Sequence, residues 1–424
     1  VSLLPDPAFE AWLDKAKGVS VLNAALKLGF APKGGTDKAT DRARGDISGP
    51  CPRCRGVDRF SVKPSESMWF CRGEGRGGYD AISLVRYVQN CSFLVAVEWL
   101  TGEPKPGRTA KVETPDEKAA REAERQRLQD ESDKARADGE RLNNQFREDE
   151  RRRCREIWRN GKPASGSLVE RYLQHRGIPA VPAGAKLRFH PEIHLRHPPG
   201  KGGEIVHTGP AMLSPIADND SRFGGLHMTW LDPRLANGTA PAGEKGKLKF
   251  VVAGEALAVK RSRGSKNGGH LILVPAPSGR VSRIVIGEGI ETVLSVWATL
   301  LEAGEELSET EFWSSVDLPN LGGKAVNSVP HPTRKQTDRR GRVYAPRVPG
   351  PVPDQGDPAR SIALPDTVID VLILADGDSD RFTVECAVAR ASARWAMPGR
   401  TVRVVWPDDG SDFNDMRMRR VRAR

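Results

Sequence analysis

Cysteine, tyrosine, acidic charge and long apolar runs are all in short supply in this chain, and each shortage removes a class of protein. Six cysteines in 424 residues cannot build a disulfide scaffold. No apolar run approaches the roughly 18 residues needed to cross a bilayer, and the first residues show no basic-then-apolar leader, so a soluble, cytoplasmic chain with no membrane partner is expected. No G-x-x-x-x-G-K-[ST] occurs anywhere, which excludes a fused motor built on a Walker loop. Acids number 55 against 66 Lys and Arg, leaving a net charge of +11 that favours polyanionic partners. The length suits two or three domains, each with its own core.

The few cysteines are unevenly placed. Cys51 and Cys54 form a C-x2-C knuckle, and Cys71 follows after 16 intervening residues at the end of "SMWF". Two thiolates from a tight turn and two more ligands from a second turn across a hairpin close a tetrahedron around Zn2+. The fourth ligand is due at position 74, where the chain has Glu74. Two readings stay open here: Glu74 as an oxygen ligand, or a three-ligand or metal-free remnant. Cys91, Cys154 and Cys386 lie in apolar or helical contexts and read as packing residues.

Upstream, apolar residues recur at helical spacing from Phe9 to Leu28, giving two short helices stopped by Gly29. Downstream the composition turns to charge. Thr114, Pro115 and Glu117 form a capping pattern, with Glu117–Arg121 and Asp130–Lys134 as i,i+4 pairs, so a long solvated linker helix is expected. A helix over Leu168 to His175, a strand near Lys186 to Phe189 and the β-like runs "GPAMLSPIAD" and "FGGLHMTWLDP" then make a mixed α/β module.

Two further apolar runs end in acids. "RIVIGEGIETVLS" stops at Glu288 between two glycines, and "VIDVLILADGDSD" ends in Asp376 and Asp378, with Asp380 to join them or cap the next helix. A third, "TVRVVWPDDGSDFNDM", brings Asp412, Asn414 and Asp415. Acids after strands are common as loop residues or helix caps. Three such ends on parallel strands converge at one sheet edge, however, and crowded carboxylates need a divalent cation, for which oxygen ligands suit Mg2+ or Mn2+. The proline-rich basic stretch 329–360 reads as a mobile loop.

The order "CPRC", "DRFSV", "WFC", "GGYDAISLV" resembles the zinc-binding domain of bacterial and phage DNA primases, with Glu74 as the departure. "PASGSLVERYLQHRGI" and "GLHMTWLD" resemble the region ahead of the Toprim domain in primases of phages and mobile elements, and the three acid-ended strands resemble Toprim itself. The resemblance implies an α/β multi-domain fold: a helical plus zinc-ribbon domain over 1–102, a charged helical linker over 103–157, a mixed α/β module over 158–280, and a Rossmann-like Toprim catalytic domain over 281–424 with the insertion 329–360. It also implies metal held by Glu288, Asp376 and Asp378, extended by Asp412 and Asp415; Lys249 at the catalytic centre; and Arg59, Trp69, Arg72, His227 and Lys260 as groups contacting nucleic acid or nucleotide.

Among Toprim chemistries, a topoisomerase needs a tyrosine nucleophile on a separate domain, and none of Tyr79, Tyr87, Tyr172 and Tyr344 lies in one of the needed size. The expected activity is therefore that of a DNA primase: metal-dependent synthesis of short primers on single-stranded DNA for a phage, plasmid or other mobile element. NTPs or dNTPs would be the substrates, and a separate replicative helicase is implied. The alternatives are a metal-dependent nuclease using the same carboxylates and a non-catalytic single-stranded-DNA-binding accessory protein.

Overall fold

The computed structural model describes residues 7–32, 47–55, 59–106, 115–199, 203–241, 243–252, 254–337, 341–356 and 361–423. The chain divides into two compact units, Val1–Asn143 and Asn144–Arg424. No helix among the described residues is long and apolar enough to cross a membrane.

In the first unit, α1 (Pro7–Lys17) and α2 (Val21–Lys27) precede an antiparallel sheet in which β1 (Ile47–Gly49), β2 (Phe60–Lys63), β3 (Met68–Cys71) and β4 (Arg76–Gly78) are neighbours in that order. Two helices come next, α3 (Ala81–Gln89) and α4 (Phe93–Thr101). Both start where a short polar side chain accepts a free N–H of the first turn: Asp80 from Ser83, Ser92 from Val95. The core is a run of aromatic contacts, Phe30 to Phe60 at 5.1 Å, Phe60 to Trp69 at 6.1 Å and Trp69 to Tyr87 at 4.6 Å. Strand alternation decides which aromatics take part: on β3, Trp69 points inward and Phe70 outward.

The long helix α5 (Pro115–Asn160) carries the charged stretch. The capping position Thr114 and the side-chain pairs Glu117–Arg121 and Asp130–Lys134 lie outside the described residues. In the second unit the last turns of α5 are no free linker. Cys154 is fully buried there, packed with Ile193, Leu195, Leu213 and Trp230.

The second unit holds two five-stranded sheets. The first is wholly antiparallel, with β5 (Lys162–Pro163), β6 (Arg188–His197), β7 (Glu204–Ala217), β8 (Phe223–Trp230) and, beyond the two-residue strands β9 (Val251–Val252) and β10 (Glu255–Ala256), β11 (Lys260–Gly264) paired to β8. Helix α6 (Leu168–His175) packs on it. Alternation gives this sheet two different faces: Leu226, Met228 and Trp230 of β8 join the α5 core, while His227 looks the other way.

The second sheet runs β12 (Leu271–Val274), β14 (Thr310–Ser314), β13 (Arg283–Gly287), β19 (Asp370–Leu374), β20 (Thr401–Val405) in spatial order, antiparallel only at β12. Helices cover both faces, with α7 (Ile290–Glu302) on one side of β13 against Val285 and α9 (Arg381–Trp395) on the other against Ile284 and Ile286. Burial on both sides is why these strands read as unbroken apolar runs rather than alternating ones. The short α8 (Leu318–Gly322) and the terminal α10 (Phe413–Arg422) complete the unit.

The stretch 329–360 departs from the mobile loop expected of it. Its described part forms two ladders, β15 (Ser328–Pro330) with β18 (Arg347–Pro349) and β16 (Gln336–Thr337) with β17 (Val343–Tyr344). The reason lies outside the stretch: buried Arg390 of α9 donates to the carbonyls of Pro349 and Gly350, and buried His331 bonds Asp380 at 3.0 Å.

Candidate active site

Parallel register brings the acids together. Gly287 of β13 stands level with Ser314 and Leu374, and Leu374 with Val405, so four strands end at one edge and the predicted acids follow three of them. Glu288 comes directly after β13, Asp376 and Asp378 after β19, and Asp412 and Asp415 after β20. Gly377 is required between the two aspartates, since a Cβ there would lie 2.2 Å from the Ser411 carbonyl oxygen and 2.5 Å from Pro407. The loop after β19 can press against the loop after β20 only without a side chain.

Glu288 is the most perturbed acid of this edge. Burial, then the charge of Asp376, pushes its carboxyl from 4.5 up to about 7, while Lys260 acts in the opposite direction. Its Oε2 is buried with no hydrogen-bond partner. A hydrogen bond shared with Asp376, together with burial, raises Asp378 as well. Such like-charged, under-satisfied oxygens are a site that a divalent cation would stabilise, and oxygen-only donors suit Mg2+ or Mn2+, which keep several waters. The carboxylates are more loosely grouped than the thiols described below, which alone among the described residues bring three metal-ligating atoms within 4.8 Å of one another.

Asp412 and Asp415 after β20, and Asp380 after β19, are already engaged. Asp412 caps α10 by accepting the Asp415 N–H at 2.6 Å, and Lys245 Nζ reaches Asp412 at 3.5 Å and Asp415 at 3.3 Å. Asn414 is buried and donates to Arg176 O and Ser295 Oγ. Asp380 caps α9 and takes the bond from His331.

Next to Glu288 lies a network of which the sequence reading named only His227 and Lys260 as site residues. Glu291, in the first turn of α7, is buried; it accepts the Tyr172 hydroxyl at 2.6 Å and pairs with Lys247 at 3.3 Å and Lys260 at 3.9 Å. Burial works against its charge, yet Lys247, Lys260 and Arg176 together hold its carboxyl well below the usual range. Burial brings Lys247 down to about 8, whereas Glu291 raises Lys260. His227 is buried beside them, bonded to Ser262 Oγ at 3.1 Å, and burial lowers it to about 4, so it is neutral at pH 7. Of the cations picked from the sequence, Lys260 is thus brought to Glu291, from where its charge acts on Glu288, while Lys249 is placed at the surface, 70% exposed and paired with Glu244 at 2.9 Å.

In the first unit, Cys51, Cys54 and Cys71 gather at one end of the small sheet, with Cys54 Sγ and Cys71 Sγ 3.5 Å apart. Zinc–sulfur bonds of about 2.3 Å in a tetrahedron put sulfurs about 3.8 Å apart, so the three thiols fit a shared zinc ion. Burial pushes Cys51 up to about 11; at Cys71 burial is outweighed by hydrogen bonds from Tyr87, the Glu74 N–H and the other thiols, which bring it to about 7. The Glu74 carboxylate lies outside this set, 3.7 Å from Arg53 Nε. Arg59 and Arg72 are exposed on adjoining segments, joined by Arg72 N–H to Arg59 O at 2.6 Å, while Trp69 is 2% exposed and donates its indole N–H to Ser83.

Residues 148–259 match the profile of a domain of unknown function, DUF7146. No curated protein matches the sequence. Among solved structures the likeness is distant and falls on primase cores. A DnaG catalytic core is 13% identical, with a TM-score of 0.30, covering 64% of this chain and 74% of its own. A DNA primase domain from Pseudomonas aeruginosa is 12% identical, with a TM-score of 0.33, covering 64% and 73%. A DnaG primase catalytic domain bound to single-stranded DNA is 13% identical, with a TM-score of 0.30, covering 63% and 77%.

Proposed function

We propose that the protein is a primase of phage or mobile-element type, which builds short primers on single-stranded DNA from NTPs or dNTPs. The observation that carries this reading is the orphaned Glu288 Oε2, held against Asp376 and Asp378 at the carboxyl edge of a parallel sheet with Lys260 alongside. Glu288, Asp376 and Asp378 would hold Mg2+ or Mn2+, and Asp412 and Asp415 would flank them. A divalent ion bound there would supply Lewis acidity for attack of a primer 3′-hydroxyl on the α-phosphate of a nucleoside triphosphate, the α–β bond breaking and pyrophosphate leaving. The chain's own part is to hold the cations that meet a triphosphate. We assign that to Lys260 and Lys247, oriented by Glu291 and Tyr172, rather than to Lys249.

The cysteine module supports the same reading: Cys51, Cys54 and Cys71 would hold Zn2+, and Arg59, Arg72 and exposed Phe70 would meet the template. A separate helicase is the implied partner. The full chain with single-stranded DNA, labelled NTPs or dNTPs and Mg2+ or Mn2+ tests the proposal. New short oligonucleotides that vanish in Glu288→Gln and Asp376→Asn support it; template shortening without nucleotide incorporation identifies a nuclease instead, and template binding with neither product an accessory protein.

A further inference from the structure

Strand β11, "KRSRG", serves two faces of one sheet. Its register against β8 pairs Lys260 with Thr229 and Ser262 with His227, on the side of Glu291, and pairs Arg261 with Met228 and Arg263 with Leu226, on the side of α5. On that second side lies a cavity of about 880 Å³, walled by the last turns of α5, by β6 and by β11. Its apolar lining is Ile157 and Pro199 with the edges of the buried Ile193, Met228 and Trp230, and Glu192, His190 and His194 also line it. Four arginines reach it, and Glu150 occupies only two of them: Arg263 by a two-pronged pair at 2.7 and 3.1 Å, and Arg153 at 3.8 Å. Arg196 and Arg261 bond only backbone carbonyls, of Gly203 and Ala258, and have no carboxylate partner among the described residues.

A cavity of this size, with a small apolar patch bordered by two guanidinium groups that bond no carboxylate, suits a ligand that is flat and apolar at one end and multiply anionic at the other. We propose that this cavity is a second nucleotide site, with the base against Ile157 and Pro199 and the phosphates on Arg196 and Arg261. The choice of a nucleotide over another amphiphilic anion rests on reading the opposite face of the same sheet as a nucleotide-handling centre. The nucleotide can be free or the end of a single strand, since either presents the same base and phosphate.

The test measures binding of a fluorescent ATP analogue and, separately, of a fluorescent 5′-phosphorylated single-stranded DNA to the full chain in EDTA, so that a metal-dependent site contributes nothing. Arg261→Ala and Arg196→Ala should each weaken at least one probe tenfold or more, Arg261→Lys should restore part of the loss, and Glu288→Gln should bind as wild type. Loss with the ATP analogue assigns a free nucleotide, and loss with the oligonucleotide alone assigns a strand end. The proposal is overturned if neither probe binds in EDTA, or if both arginine variants bind normally; loss in Lys260→Ala would then put the nucleotide on the Glu288 face. Primer synthesis by wild type is scored independently, so failure of the primase reading and failure of this site are told apart.

Discussion

Replacing Glu288 by Gln should make the metal-free protein more stable, and the size of the gain can be worked out. The unfolded carboxyl ionises near 4.5 and the folded one near 7. Between those values the folded state binds more protons than the unfolded, so stability falls as pH rises and levels off above 7. That gap, at about 1.4 kcal/mol per pH unit, amounts to roughly 3 kcal/mol at pH 8. Glutamine keeps the shape and removes the charge, so in EDTA the variant should match wild type near pH 4.5 and exceed it by up to that amount at pH 8. Added Mg2+ should reverse the order, stabilising wild type at pH 8 and leaving the variant unmoved. Urea unfolding of the full chain, with hydrogen exchange of β13 and β19 as the local readout, measures both. A variant less stable than wild type at pH 8 in EDTA, or one with an unchanged response to Mg2+, refutes the idea that Glu288 is a strained carboxylate awaiting a cation.

Gly377→Ala should abolish primer synthesis and the Mg2+ response together, because the added methyl collides with the Ser411 carbonyl and forces apart the loops after β19 and β20; an active variant would show that their contact is dispensable. Tyr172→Phe removes a buried hydrogen bond to an ionised Glu291 and should cost about 1.5–3 kcal/mol in urea unfolding, with a larger drop in nucleotide incorporation than in template binding. Metal analysis should find zinc lost in Cys71→Ser and kept in Glu74→Ala; release of zinc by the second would mean that Glu74 leaves Arg53 to complete the site.

The strand-end acids were legible because a strand buried on both faces is an unbroken apolar run, and the residues just past such a run in a parallel sheet must emerge at the shared edge. Glu291 was not, since an acid in the first turn of a helix is ordinarily explained by the helix dipole, and only Tyr172 and the two lysines, far away in sequence, explain why it is buried. The lysines of "GEKGKLKF" alternate as 245, 247 and 249, and nothing local separates them. A bridge from Lys247 to Leu231 draws that one residue against the end of β8. Alternation told that Trp69 and Phe70 face opposite ways, but which way is inward depends on Phe60 and Tyr87. The 329–360 stretch looked unstructured because its anchors, Arg390 and Asp380, belong to a helix far along the chain.

The pairing of β11 with β8 leaves little freedom to drift. At Gly225 a Cβ would come within 2.3 Å of the Arg263 carbonyl oxygen, so the two backbones touch where Gly225 faces Gly264. A slip of one residue would turn Arg261 and Arg263 toward Glu291 and send Lys260 and Ser262 into the cavity beside α5. Insertions or deletions inside Lys260–Gly264 should therefore damage both faces in a single event, whereas point substitutions can tune either face alone. For anyone diversifying this chain, the length of that strand is the quantity to hold constant and its side chains are the ones free to vary.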